Sequence, residues 1–158
     1  MNKRVDFKKI SMHKGPIESL GFLLWRVSLK WRGTIEAALK VHDLTHPQFV
    51  MLASLGWLTK EGDMVTQAVV GKMAGFDPNT ASQILRGLEA KKLIKRVQKQ
   101  DERSKNPMLT ELGIKRLSDS MSKAVEKIDA VFFKPLTKVE SEQLVGLFRK
   151  LYLHHDQA

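Results

Sequence analysis

The sequence predicts a mainly α-helical fold with a small β wing. Three observations carry that prediction. Apolar residues recur at steps of three and four along most of the chain, the repeat of a half-buried helix. Residues that start helices stand just ahead of those stretches, at Thr45, Asp77, Thr110 and Thr137. Residues 93–109 drop this rhythm, for two short β-prone runs around a polar turn.

Composition narrows the function. The 158 residues are 42% hydrophobic and 28% charged, enough for a packed core. There is no cysteine, which excludes disulfides, thiolate metal sites, cysteine nucleophiles and thiol redox sensing. Apolar runs reach only a handful of residues, against roughly 20 for a bilayer span. The charged start M-N-K-R-V-D-F-K-K-I lacks an apolar signal core. The expectation is a cytoplasmic protein without a membrane partner. Net charge is +10. Residues 1–14 hold a net +4 and residues 86–105 a net +5, leaving +1 on the rest. Two positive blocks on a near-neutral body point to a polyanion, nucleic acid ahead of an anionic membrane surface.

Residues 1–16 read as a flexible basic arm closed by Gly15-Pro16. Residues 17–39 follow as a helix, with Ile17, Leu20, Leu24, Val27, Trp31, Ile35 and Ala38 on one stripe. Phe22, Trp25 and Leu29 lie off it. A helix apolar on two faces needs cover on both, and a second subunit is the expected cover. Thr45-His46-Pro47-Gln48 is a capping box, and its helix runs to Trp57.

A short helix over residues 66–74 breaks at Gly75-Phe76-Asp77. Asp77 caps a longer helix with Pro78 in its first turn. Short helix, glycine turn, longer helix is the outline of a helix-turn-helix. The second helix divides its faces: Ala81, Ile84, Leu85 and Leu88 point to a core, and Asn79, Ser82, Gln83 and Arg86 share another face. Three uncharged hydrogen-bonders and an arginine, with no acid among them, suit the edges of bases in a major groove. An ordinary solvated face would mix glutamate and lysine more evenly.

Residues 93–98 can form a strand, residues 99–106 a charged turn, and residues 107–109 a return strand. Pro107 confines that return strand to an edge or a bulge. A hairpin directly after such a helix makes a winged helix-turn-helix. Thr110 caps a helix over residues 111–133 that Pro135 ends, and Thr137 to Glu140 is a capping box for the last helix. The expected organisation is a winged helix-turn-helix DNA-binding domain over residues 45–110. Around it stands a helical dimerisation region built from N- and C-terminal helices, residues 17–44 and 111–158.

With these pieces in order, the sequence resembles the MarR family of bacterial transcriptional regulators over roughly residues 17–153. The stretches that carry the resemblance are L-T-H-P-Q-F-V-M-L at residues 44–52 and T-Q-A-V-V-G-K-M-A-G-F-D at residues 66–77. They continue as P-N-T-A-S-Q-I-L-R-G-L-E-A-K-K-L-I-K-R at residues 78–96, D-E-R-S-K at 101–105 and L-T-E-L-G at 109–113. The resemblance implies a homodimer that sets one winged helix per subunit on a palindromic operator in double-stranded DNA, usually as a repressor. It implies that Asn79, Thr80, Ser82, Gln83 and Arg86 read the major groove. It matches Asp101 and Arg103 to the family's D-x-R wing motif, the arginine entering the minor groove or gripping its phosphates and the aspartate helping to shape the tip. It puts Lys99 and Lys105 on phosphates and lets Gln67 present its backbone N–H to another. It further implies a pocket for a small aromatic or anionic effector near Trp25, Ser28 and Trp31, although tryptophans on an apolar helix more commonly pack into a core or an interface.

The sequence departs from the family pattern at three points. Lys92 replaces a usual glycine, at about 1 kcal/mol if its backbone is left-handed. Gly71 replaces a usual alanine and either weakens its helix or admits a close neighbour. Pro107 is the third. Other functions fit less well. No phosphate loop, nucleophile elbow, H-E-x-x-H or dinucleotide fingerprint is present, so neither enzyme chemistry nor a cofactor is expected. His42 and His46 are four apart, but Asp43 and the Thr45 cap intervene, and no metal site is expected from them or from His154-His155. The competing reading is a winged helix used for non-specific, architectural DNA binding or for protein contact.

Overall fold

The structure, a computed structural model, describes residues 4–97 and 106–156. Its elements run α1 (Leu20–Lys40), α2 (His46–Leu58), α3 (Gln67–Ala74), α4 (Pro78–Ala90), β1 (Ile94–Val97), β2 (Asn106–Leu109), α5 (Glu111–Ser120), α6 (Glu126–Phe132) and α7 (Lys138–His155). This is the mainly helical, winged architecture that the sequence predicts.

The helix starts follow local chemistry. Thr45 and Thr137 form reciprocal capping boxes with Gln48 and Glu140. Thr66 and Thr110 accept the amides of Val69 and Gly113. Each cap satisfies an amide that the helix itself leaves unpaired, worth about 1 kcal/mol. The helix expected from residue 17 begins instead at Leu20. Ser19 is extended, its hydroxyl accepts the Phe22 amide, and Pro16–Glu18 form a separate 3-10 turn. No residue from 4 to 16 is buried.

The helix expected over residues 111–133 is interrupted. A π-helical turn, Met121–Val125, separates α5 from α6. At its edge the Ser120 hydroxyl donates to the carbonyls of Arg116 (2.7 Å) and Leu117 (3.1 Å). Helix α1 packs across this turn.

Helix α2 is the centre of the core. Its Met51, Leu52 and Leu55 are wholly buried, beneath Ile35 and Leu39 of α1, Val70 of α3, and Leu85 and Leu88 of α4. A helix surrounded in this way needs no polar face, which is why α2 has almost none. Each such side chain contributes about 1.5–3 kcal/mol on burial. Leu93, Ile94 and Pro107 at the base of the wing close the core.

The wing strands pair antiparallel, Ile94 with Leu109 and Arg96 with Pro107. A two-stranded sheet leaves each strand one unpaired edge, so Pro107 sits where its missing N–H is tolerated. Lys92, just before β1, has φ +59°. The amides of Lys92 and Leu93 donate back to Glu89 and Leu88, closing a Schellman motif at the end of α4. The departure at Lys92 therefore carries the left-handed backbone that the glycine pattern implied.

The terminal helices are incompletely covered. Helix α7 buries none of its residues, and α1 buries only Ile35 and Leu39. Among the described residues, no helix is long and apolar enough to cross a membrane.

Candidate nucleic-acid interface

The helix-turn-helix is held by backbone constraints at its turn. Gly75 has φ +75°, a conformation that glycine adopts without steric penalty. Its amide and that of Phe76 return to the carbonyls of Lys72 and Gly71, ending α3 within one residue. Asp77 then starts α4. Its carboxylate accepts the amides of Asn79 (2.9 Å) and Thr80 (3.0 Å) and the Thr80 hydroxyl (2.5 Å). The Thr80 hydroxyl and then its amide hold the Asp77 carboxyl below its usual range. Gly71 lies beneath Ala81, where a Cβ would come within 2.8 Å of the alanine Cβ. The substitution thus marks a close crossing of α3 on α4, one of the two outcomes that the sequence left open.

Helix α4 presents two faces. Ala81, Leu85 and Leu88 are buried, with Ile84 packed against them. Asn79, Gln83 and Arg86 are exposed, and Ser82 is half-buried. From Asn79 to Arg86 this ridge extends about 10 Å, within a major groove about 12 Å wide. The acids on either side of the ridge are engaged elsewhere: Asp77 in the cap, and Glu89, in the last turn of α4, by Arg96 Nε at 3.1 Å. The ridge therefore offers hydrogen-bond donors, acceptors and one guanidinium, with no free carboxylate to repel phosphate.

Gln67 stands at the start of α3, where its side-chain oxygen accepts from Arg96 Nη1 at 3.2 Å. Arg96 thus joins the start of α3, the end of α4 and strand β1. It belongs to the basic block of residues 86–105, and its role is not legible there because its two partners lie 7 and 29 residues away. The same holds for Lys91, whose ammonium reaches the turn after α1. Lys99, Asp101, Arg103 and Lys105 lie outside the described residues.

The three α1 residues expected near an effector have separate environments. Trp25 is 55% exposed and edge-on to Phe22. Ser28 donates to the Trp25 carbonyl at 2.9 Å. Trp31 donates its indole N–H to Asp129 of α6 at 2.8 Å, and its ring meets His46 edge-on at 5.2 Å. Burial pushes the His46 imidazole below its ordinary value, Arg32 adds to this, and Glu36 opposes it. Among the described residues, no three His, Asp or Glu side chains converge to hold a metal ion.

Over 132 residues the chain is 36% identical to an uncharacterized HTH-type transcriptional regulator of Bacillus subtilis (strain 168), YdcH, covering 83% of this chain and 89% of that relative. The crystal structure of a MarR family protein of Mycobacterium tuberculosis in complex with DNA aligns with a TM-score of 0.66 at 26% identity. That match covers 84% of this chain and 97% of the other. The chain belongs to the MarR family.

Another member, BpsR of Bordetella bronchiseptica, aligns with a TM-score of 0.76 at 25% identity, over 89% of this chain and 99% of its own; its DNA binding is regulated by 6-hydroxynicotinic acid. No protein-family model matches the chain. These relatives are transcription regulators rather than enzymes.

Proposed function

We propose that this MarR protein is a repressor that binds a palindromic operator as a homodimer and is released by a small aromatic or anionic effector. The observation that carries the reading is the acid-free ridge of α4, fixed from below by the Gly71–Ala81 crossing and from its N-terminus by Asp77. Asn79, Ser82, Gln83 and Arg86 meet base edges, with Thr80 beside them holding the cap. Lys99, Arg103 and Lys105 grip the backbone and minor groove beyond the ridge, with Asp101 shaping the wing tip, and the Gln67 amide faces a phosphate.

Exposed apolar surface supports the homodimer. Leu24 of α1 and Phe148, Leu151 and Tyr152 of α7 line an open groove of about 500 Å³. Leu24 is 53% exposed and Leu151 54% in the single chain. A second copy that brings the same two helices would cover this surface, and two-fold pairing matches a two-fold operator. Effector release is supported by the regulation of the BpsR relative by 6-hydroxynicotinic acid. On this chain the effector lies near Trp25 and Ser28, and Trp31 adds its ring while Asp129 holds its N–H.

Selection of bound duplexes from a random pool by the purified protein tests the proposal, with mass measured in solution alongside. The expected outcome is a dimer that enriches a palindrome with half-sites about one helical turn apart. A monomer, or equal binding to all duplexes, would favour the architectural or protein-contact reading.

A further inference from the structure

The end of the recognition helix is tied to the end of α1. Asp43, in the turn after α1, has φ +53°, and the amides of Asp43 and Leu44 return to Lys40 and Leu39. That left-handed turn directs the Asp43 carbonyl and carboxylate toward α4. Lys91 Nζ donates to both, at 2.6 Å and 2.9 Å, and to Gln48 Oε1 at 3.2 Å. One ammonium, with three donors, thus joins the C-terminus of α1, the capping box of α2 and the C-cap of α4. Arg116 of α5 approaches from the other side, donating Nη1 to the His42 carbonyl at 2.5 Å and standing 3.9 Å from the Asp43 carboxylate.

Two cations therefore serve the carbonyls of the turn that follows α1, those of Asp43 and His42. The contact is tight as well as charged: a Cβ on Gly87, one turn before Lys91, would stand 3.2 Å from Gln48 Nε2. The Lys91 side chain is only 29% exposed.

We propose that Lys91 is a positioning residue for DNA recognition: through Asp43 and Gln48 it clamps the C-terminal end of α4 to the end of α1, so that the angle of the reading ridge follows α1. The proposal rests on the reading of α4 as the major-groove element. A displacement of α1 would then reach the ridge through this clamp. The role is distinct from a phosphate contact, because Lys91 directs its charge inward to the fold.

Lys91→Met removes the ammonium and keeps the stem, Lys91→Arg keeps charge and donors, and Asp43→Asn keeps a residue tolerant of φ near +53° while removing the ion pair. Each full-length variant is titrated at fixed salt with the duplex selected by the wild-type protein and with a scrambled duplex. The proposal expects Lys91→Met to lower the ratio of selected to scrambled affinity about tenfold, Asp43→Asn to lower it less, and Lys91→Arg to stay within about threefold of wild type. An unchanged ratio overturns it. So does an equal loss on both duplexes, which would make Lys91 a plain phosphate contact.

If Lys91→Met does not fold, Asp43→Asn and Lys91→Arg decide by the same comparison. Amide exchange of the DNA-free protein keeps this outcome separate from the reading of α4. Joint loss of protection at residues 39–44 and 88–93 in Lys91→Met supports the clamp even if wild type selects no sequence. Unchanged protection there overturns it.

Discussion

Gly71 and Ala81 meet where α3 crosses α4, so closely that a Cβ on the glycine would stand 2.8 Å from the alanine Cβ. The alanine methyl is attached directly to the backbone of α4 and cannot swing aside. The separation of the two helices is therefore set by the absence of one methyl group. Gly71→Ala is expected to destabilise the protein by about 1–2 kcal/mol through overpacking, although alanine alone would favour the helix by about 1 kcal/mol. Urea unfolding measures this, and Gly71→Ala combined with Ala81→Gly should recover part of the loss. A single variant more stable than wild type would mean that the crossing is not tight.

Lys92 carries the opposite kind of strain. Its φ of +59° costs a non-glycine residue about 1–2 kcal/mol. Lys92→Gly should raise stability by up to about 1 kcal/mol, the remainder being offset by the extra freedom of glycine in the unfolded chain. Lys92→Val should lower it. Denaturation midpoints at unchanged slope would measure both effects, and equal midpoints for glycine and valine would contradict the strain.

Much of this molecule is legible from local sequence, and the pattern of what is not follows from physics. Thr45, Asp77, Thr110 and Thr137 act on amides two or three residues away, so their caps can be read directly. The two faces of α4 follow from its helical period. The late start of α1 turns on Ser19, a cap inside an apolar stripe that periodicity passes over. The π turn leaves no trace in the spacing of apolar residues. Lys91 and Asp43 are 48 residues apart, and Trp31 and Asp129 are 98 apart. Neither pair belongs to any periodic pattern, so only the fold brings them together. The helical period groups the residues of the α4 ridge; it gives no sign of the Lys91–Asp43 contact.

The partial burial of His46 links stability to pH. Burial against Trp31 disfavours the imidazolium, so its folded pKa lies below the ordinary value of 6.5. Between the two values the unfolded chain binds more protons than the folded one, so stability falls as pH drops through that window. Above 6.5 the contribution is complete. His46→Phe keeps an edge-on ring for Trp31 and should flatten the decline in melting temperature between about pH 7 and pH 5. An identical decline in wild type and variant would place the acid response elsewhere.

If α4 reads base edges, Gln83, exposed at the middle of the ridge, is the side chain whose loss shows it. The measurement is the affinity of wild type and Gln83→Ala for the selected operator and for every single-base variant of one half-site. Gln83→Ala should lose about 1–3 kcal/mol of discrimination at one or two adjacent base pairs and keep the wild-type pattern elsewhere. A uniform drop across all variants, with the pattern of preferred bases unchanged, would contradict it.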